Sequence, residues 1–163
     1  MDVGIENIGV SGPRLVLRPS ILIRRLNQIH QALFSEEAGK LGITLAQMNV
    51  LAAISRQSGR DQSSIAEDIG ADKATLASVV MRLESAGLVR RKVCKADQRQ
   101  KLLHLTAKGR NLLKKMEGPL KRANHRTLEP LAPAERKVFL FLLAALVNGG
   151  NDNARTKLRL SVD

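Results

Sequence analysis

One stretch of the sequence, residues 73–82, places hydroxyl and basic side chains on a single face of a predicted helix. Leu76, Val79, Val80 and Leu83 recur at three- and four-residue spacing and must face a core. The remaining side chains point outward and are small, hydroxylated or basic: Lys73, Thr75, Ala77, Ser78 and Arg82. Such a helix can lie deep in a major groove, with hydroxyls near base edges or phosphates and cations at phosphates. An ordinary amphipathic surface helix is the alternative, although its exposed face usually carries several Glu and Lys.

A second stretch, residues 88–109, has the pattern of a basic β-hairpin. Two short runs with alternating apolar residues, 88–94 and 101–105, flank a polar turn at 95–100. Between positions 82 and 110 there are nine basic residues and only two acidic ones. A protruding hairpin with this charge suits the phosphate-lined wall of a DNA groove. The alternative is a solvated hairpin without a binding role.

Two short helices around a glycine turn must position these side chains. Residues 61–69 read as a helix with Asp61 or Ser64 as N-cap, and Ser64 with Glu67 has the spacing of a capping box. After the turn at Gly70, the second helix runs to about Ala86, capped by Asp72 and stopped by Gly87. The pair predicts a helix-turn-helix followed by the hairpin.

The rest of the chain is predicted to be a helical scaffold. The first of its helices runs from Ser20, as N-cap, to Ala38, and the second runs from Thr44, in a capping box with Gln47, to about Arg56. The third helix begins at Thr106, as N-cap. The fourth runs from Pro133 to Gly149–Gly150. The last of them is apolar nearly all round, so it must be buried on most sides, and a second copy of the chain is the predicted partner. The alternative is that helices of the same chain cover it.

Composition limits the possible partners and functions. The 163 residues, 44% of them apolar, suffice for one compact domain, and a net charge of +12 implies a polyanionic partner. There is no Trp or Tyr and only three Phe, so the chain lacks the aromatic platform of single-strand and RNA binders, and duplex DNA is favoured. No segment has the apolar length of a membrane span, and the N-terminus lacks the pattern of a signal peptide. These features predict a cytoplasmic protein.

No catalytic or metal-binding motif is found in the sequence. The single cysteine, Cys94, excludes an intramolecular disulfide, and His30, His104 and His125 lie too far apart in sequence to suggest a metal site. Phosphate-binding loops, nucleophile elbows and paired carboxylates are absent too. Cys94 stands among cations that favour a reactive thiolate, but an incidental small residue explains it as well. The prediction is a protein that is not an enzyme and uses no cofactor.

The order of these elements resembles the MarR family of winged helix-turn-helix regulators over about residues 20–147. The wing signature D-x-R followed by L-T-x-x-G stands here as Asp97–Arg99 and Leu105–Gly109. The resemblance implies a mainly α fold with a small β-wing, obligate dimers on palindromic operators, and release of DNA by a small ligand. The subsequence at residues 23–51 is further similar to a branch associated with the catabolism of aromatic compounds.

The resemblance also implies site residues and a division of the chain. Asp97 would brace the wing by pairing with a cation, and Arg99 would enter the minor groove. The residues expected at the DNA are Ser63, Ser64, Lys73, Ala74, Thr75, Ser78, Arg82, Lys95, Asp97, Arg99 and Lys101. The expected regions are a flexible arm at 1–17, dimerisation helices at 18–43 and 106–150, a DNA-binding lobe at 44–105 and a tail at 151–163. Peroxide-sensing members carry a cysteine near the start of the first helix, which this chain lacks.

The effector site is expected on the first helix. Arg24, Arg25 and His30 offer cations and a donor beside apolar Ile23 and Leu26, as an anionic aromatic acid or its coenzyme A thioester requires. The alternative is that the arginines are solvated or bind phosphate and His30 is an interhelical residue. The predicted function is that of a homodimeric repressor that binds palindromic double-stranded DNA and is released by this ligand. The competing hypothesis is an architectural protein that coats duplexes without sequence preference.

Overall fold

The computed structural model describes residues 18–94, 97–154, 156 and 158. The described chain is mainly α with one small antiparallel sheet, which confirms the predicted fold class. Its elements are α1 (Pro19–Ala38), a 3-10 helix (Gly39–Leu41), α2 (Leu45–Arg56), α3 (Gln62–Ile69), α4 (Lys73–Ser85), β1 (Val89–Val93), β2 (Lys101–Leu105), α5 (Ala107–Leu128), α6 (Pro133–Gly150) and a second 3-10 helix (Asn151–Asn153). The predicted arm at 1–17, Lys95 and most of the tail at 151–163 lie outside the described residues.

The core lies between α2, α3, α4 and the wing, which is the hairpin formed by β1 and β2. Its largest fully buried aliphatic side chains there are Val50, Leu51, Ile54, Ile65, Leu76, Val80, Leu83 and Leu103. Burial of one such side chain contributes about 1.5–3 kcal/mol. All four residues predicted to form the inner face of α4 are buried, so the opposite face of this helix is fixed toward solvent.

Most of the predicted helix starts are confirmed, and that of α1 is not. Thr44 and Gln47 form a reciprocal capping box on α2, and Asp72 and Thr106 cap α4 and α5. Ser20 is not the N-cap of α1, because Pro19 takes the first helical position, where its missing N–H and fixed φ are favourable. Asp61, one of the two N-caps predicted for α3, caps that helix, so Ser64 lies inside it and the capping box predicted for Ser64 and Glu67 does not form at its start.

The wing is held by a third segment that the sequence did not predict. β1 and β2 pair with Val89 opposite Leu105 and Val93 opposite Lys101. On the other side of β2, the Leu103 N–H donates to the Arg60 carbonyl at 2.9 Å, and the Gly59 N–H donates to the Leu103 carbonyl at 3.0 Å. The connection from α2 to α3 therefore lies beside the wing as a short edge, which joins the wing to the helices.

Helix α5 is fastened at both of its ends. At its start, the Thr106 hydroxyl donates to the Gly87 carbonyl at 2.7 Å, and the Lys108 ammonium donates to the Ala86 carbonyl at 2.8 Å. Near its other end, Arg126 donates to Glu37 of α1 at 3.0 Å. Hydrogen bonds from Arg122 and Arg126 hold the pKa of the Glu37 carboxyl below its ordinary value. One helix thus connects the end of α4 to α1.

Helix α6 leaves its apolar side chains exposed. Phe141 is 72% and Leu146 69% exposed, and no residue of α6 is buried. Among the described residues, α6 packs chiefly against the 3-10 helix that follows it. The alternative that α1 and α5 of the same chain cover this helix is therefore wrong.

Candidate DNA interface

The N-terminus of α4 is ordered by Asp72, whose carboxylate binds Thr75 twice. It accepts the Thr75 N–H at 2.8 Å and the Thr75 hydroxyl at 2.6 Å. These two hydrogen bonds hold the pKa of Asp72 below its ordinary value, and the bond from the hydroxyl has the larger effect. The carboxylate therefore stays ionised. Because its only hydroxyl hydrogen is already donated, Thr75 can offer a neighbouring molecule only acceptor lone pairs.

The outward face of α4 is open and basic at its two edges. Lys73, Ala74, Thr75 and Arg82 are exposed, and Ser78 is half-buried. Neither Lys73 nor Arg82 forms an ion pair within the described residues. The structure thus places these five predicted contacts on one side of one helix, with both cations free to neutralise phosphates.

Met81 also lies on this face, and the sequence-based set omitted it. Its side chain is 59% exposed. On a helix that turns about 100° per residue, position 81 lies near the middle of the face opposite Leu76, Val79, Val80 and Leu83. The positions of the core residues would have been enough to find it.

Helix α3 contributes one free hydroxyl and one that is engaged. Ser63 is exposed, whereas Ser64 is half-buried and its hydroxyl donates to Asp61 Oδ2 at 3.1 Å. The Ser64 N–H donates to Asp61 Oδ1 at 3.0 Å, and this bond is the main cause that holds the pKa of Asp61 below its ordinary value. Ser64 therefore serves the helix cap first and can meet DNA only as an acceptor.

The tip of the wing is shaped by Asp97. Its Oδ1 accepts the Arg99 N–H at 2.9 Å, and its carbonyl accepts the Gln100 N–H at 3.0 Å. Among the described residues Asp97 forms no ion pair, so its visible role is to fix the backbone of the turn rather than to hold a cation. Arg99 is exposed, and within the same residues its guanidinium has no partner.

The wing and the helix-turn-helix are joined by side chains as well as by backbone. Gln100 Nε2 donates to Asp61 Oδ2 at 3.2 Å, and Ser58 Oγ lies 2.9 Å from His104 Nδ1. Burial has the largest effect on the pKa of His104 and lowers it, and the charges of Lys92 and Arg90 lower it further. This imidazole is therefore neutral near pH 7. The tip of the wing is therefore positioned relative to the start of α3.

The charge of the wing is largely uncompensated. Arg91 pairs with Glu84 of α4 at 3.2 Å, which ties β1 to that helix. The other described cations of the two strands are exposed and form no ion pair with described residues: Arg90, Lys92 and Lys101. Free cations that project from an anchored hairpin fit an array of phosphates.

The predicted effector residues do not share a cavity in the single chain. His30 Nδ1 lies 2.8 Å from the Thr127 hydroxyl, which itself donates to the Ala123 carbonyl at 2.8 Å. Nδ1 must therefore carry the hydrogen, and Nε2 is left without a partner among the described residues. Arg24 and Arg25 are exposed and make no ion pair there.

None of these three residues lines either of two clefts found among the described residues. A cleft of about 470 Å³ between α1 and α2 is lined by Asn27, Gln31 and Phe34, among others. Another, of about 640 Å³, lies between the end of α4 and the first turns of α5, with Lys108 and Lys115 in its wall. Within the described residues, no group of three His, Cys, Asp or Glu side chains could hold a metal ion, and no helix could cross a membrane.

The sequence matches known regulators over most of its length. The profile of the MarR family matches residues 43–101. The transcriptional regulator HosA of Escherichia coli is 32% identical over 126 residues, which cover 77% of this chain and 92% of HosA. The chain belongs to the MarR family. Proteins of the MarR family are transcriptional regulators and not enzymes, which confirms that part of the prediction.

Solved structures of MarR-family regulators share this fold. BpsR of Bordetella bronchiseptica, whose DNA binding is regulated by 6-hydroxynicotinic acid, is 30% identical with a TM-score of 0.77, over 83% of this chain and 97% of BpsR. PcaV of Streptomyces coelicolor, in complex with its natural ligand, is 33% identical with a TM-score of 0.75, over 85% and 98%. The winged helix-turn-helix of this MarR-family chain is thus the one seen in ligand-responsive regulators.

Proposed function

We propose that the protein is a homodimeric repressor that binds a specific palindromic site in double-stranded DNA and is released by a small anionic ligand. The observation that carries this proposal is the outward face of α4, whose free Lys73 and Arg82 are held in one rigid unit with the cationic wing. An anchored helix and an anchored hairpin can meet two neighbouring grooves of one duplex at once.

In this proposal each element has its own groove. The start of α4 lies in the major groove, where Ala74, Thr75 and Ser78 meet base edges, while Lys73 and Arg82 bind phosphates. The wing lies along the backbone with Lys95 and Lys101, and Arg99 enters the minor groove, where narrow A·T tracts concentrate negative potential. Asp97 keeps the tip in shape. Ser63 and Ser64 of α3 complete the contact beside the groove.

The second subunit covers the exposed apolar residues. Phe141 and Leu146 of α6 are exposed in the single chain, and so are Leu22 and Ile23 of α1; the proposed dimer interface is the surface that carries these residues. A two-fold axis through this surface buries it and places two α4 helices about one DNA turn apart, which explains why the site is palindromic.

An aromatic acid or its coenzyme A thioester is the proposed effector. Among the described residues the guanidinium groups of Arg24 and Arg25 on α1 have no partner, so a carboxylate near them would gain charge-assisted hydrogen bonds. The hydrogen of His30 is on Nδ1, so its Nε2, which has no partner there either, can accept a hydrogen bond from a ligand hydroxyl. The class of ligand is supported by BpsR, which responds to 6-hydroxynicotinic acid. The relatives with such ligands also support a role in the catabolism of aromatic compounds.

Footprinting on the promoter beside the protein's own gene tests the DNA-binding proposal. We expect one protected palindrome and a preference of at least about a thousandfold over bulk DNA. Ser78→Glu should remove this preference, since it sets a carboxylate against phosphates and base acceptors, whereas Ser20→Glu makes the same charge change on α1 and should bind normally. Equal affinity for all duplexes would instead establish the architectural alternative.

Titration calorimetry tests the effector site. Hydroxylated benzoic and cinnamic acids and their coenzyme A thioesters are titrated into the wild type and into Arg24→Ala, Arg25→Ala and His30→Ala. We expect the acid that releases the operator to bind at least one variant about tenfold more weakly. If it binds all three as tightly as the wild type, these residues are scaffold and the site lies elsewhere.

A further inference from the structure

We infer that α4 reads thymine methyl groups through an apolar stripe of three side chains, Ala74, Ala77 and Met81. This inference rests on the proposed function, because it names the base feature that the same helix recognises. All three side chains are exposed, and Met81 is by far the largest of them.

The stripe lies in the centre of the outward face. With about 100° per residue, Ala74 and Met81 lie almost directly opposite the buried Leu83, and Ala77 lies beside them. The centre of that face is what reaches the floor of a groove when a helix lies in it. The deepest contacts of α4 are therefore apolar, with the half-buried Ser78 beside them.

The free cations flank this stripe on opposite sides. Lys73 and Arg82 project to the left and right edges of the same face and are unpaired among the described residues. The two phosphate backbones flank the floor of the major groove in the same way. When both cations meet phosphates, the stripe is directed at the bases, and the matching charge identifies duplex DNA as the occupant of this face.

The chemistry of the stripe selects one feature of the groove floor. Methyl and thioether groups donate no hydrogen bond, and contact with a polar base edge would leave that edge unpaired. The apolar group exposed in the major groove is the C5-methyl of thymine. Met81 is long and flexible enough to cover such a methyl while its own apolar surface is removed from water.

Replacement of thymine by deoxyuridine tests this inference directly, since it removes only the methyl group and keeps every base pair. The full-length protein is titrated by fluorescence anisotropy with its footprinted operator and with the same duplex carrying deoxyuridine throughout both half-sites. Loss of one buried methyl corresponds to about a fourfold change in affinity, so we expect the wild type to bind the deoxyuridine duplex at least fourfold more weakly.

The role of Met81 is isolated by combining the two changes. Met81→Ala should weaken binding to the thymine operator and lose most of the discrimination between the two duplexes, while its melting temperature stays unchanged because the side chain is exposed. Val93→Ala is the matched control, since it trims another exposed apolar side chain, 58% exposed, on the wing and should discriminate like the wild type.

Each outcome has one meaning. Equal affinity of the wild type for both duplexes would overturn the inference while leaving sequence-specific binding intact. Full discrimination by Met81→Ala would show that Met81 is not the reader and would also overturn it. If no duplex is bound above the level of bulk DNA, the proposed function fails as well.

Discussion

Gly109, in the first turn of α5, lies so close to Leu88 that a Cβ at position 109 would overlap the Leu88 carbonyl oxygen. The same turn is capped by Thr106, whose hydroxyl accepts the Gly109 N–H at 3.1 Å and donates to Gly87. The L-T-x-x-G part of the wing signature thus has a physical reason. Threonine caps the helix and binds the preceding loop, and only glycine lets the two backbones approach.

Gly109→Ala should therefore destabilise the protein, although alanine favours helices. Neither backbone can move freely, so we expect the free energy of unfolding to fall by about 1–3 kcal/mol. Gly149→Ala in α6 is the control, because an added Cβ there would meet nothing within 4 Å, and it should stabilise by about 0.5–1 kcal/mol. Urea denaturation measures both. A Gly109→Ala variant as stable as the wild type would contradict the close approach.

Removal of the Asp61 carboxylate should make the free energy of unfolding less dependent on pH under acidic conditions. The folded protein holds the pKa of Asp61 below its ordinary value, so the unfolded chain takes up a proton first as the pH falls. This stabilisation is complete above the ordinary pKa and is lost as the pH falls through the lowered one. Asp61→Ala should cost about 1 kcal/mol at pH 7 and lose stability less steeply below pH 5. Thermal melts from pH 7 to pH 3, with exposed Glu117→Ala as control, decide the matter, and parallel curves would refute it.

Arg99→Ala should weaken operator binding without a change in folding. Its side chain is exposed and unpaired among the described residues, so the fold loses little. Loss of one phosphate or minor-groove contact should reduce the slope of log K for DNA binding against log salt concentration by about one. Anisotropy titrations at several salt concentrations measure this, with Lys40→Ala, on the 3-10 helix after α1, as the control for charge alone. An unchanged affinity at fixed salt would remove the wing from the mechanism.

Phe141→Asp should separate the subunits. A lone carboxylate in an apolar interface costs several kcal/mol, and Phe141 is the most exposed large apolar side chain of α6. Sedimentation velocity should show a monomer or an aggregate in place of the dimer. Ala134→Asp adds the same charge to the first turn of α6, where a helix tolerates it, and should remain dimeric. A soluble Phe141→Asp dimer with a native melting temperature would place this face outside the interface.

Local features of this chain were readable from the sequence. Asp72, Thr44 and Thr106 cap their helices as predicted, because an N-cap depends on residues two or three positions away. Pairings between distant positions left no such pattern. The bond from Gln100 to Asp61 spans 39 residues, and that from His30 to Thr127 spans 97.

Some features of the candidate site could likewise be predicted from the sequence, and others could not. The outward face of α4 follows from its buried residues, but the engagement of the Thr75 hydroxyl by Asp72 depends on side-chain geometry that spacing alone does not give. Arg24, Arg25 and His30 share α1, as the spacing predicts, but none of them lines either of the two clefts described above.

Helix α5 is a long rod between α1 and the end of α4, the two regions that the proposed function assigns to the ligand and to DNA. Its 22 residues span about 33 Å, with one end bonded to the last turn of α4 and the other to α1. A tilt of about 5° where it meets α1 would move the opposite end by about 3 Å, roughly the length of a hydrogen bond. In the proposed repressor, small molecules that differ slightly in how they spread α1 and α5 would therefore differ greatly in how far they displace α4.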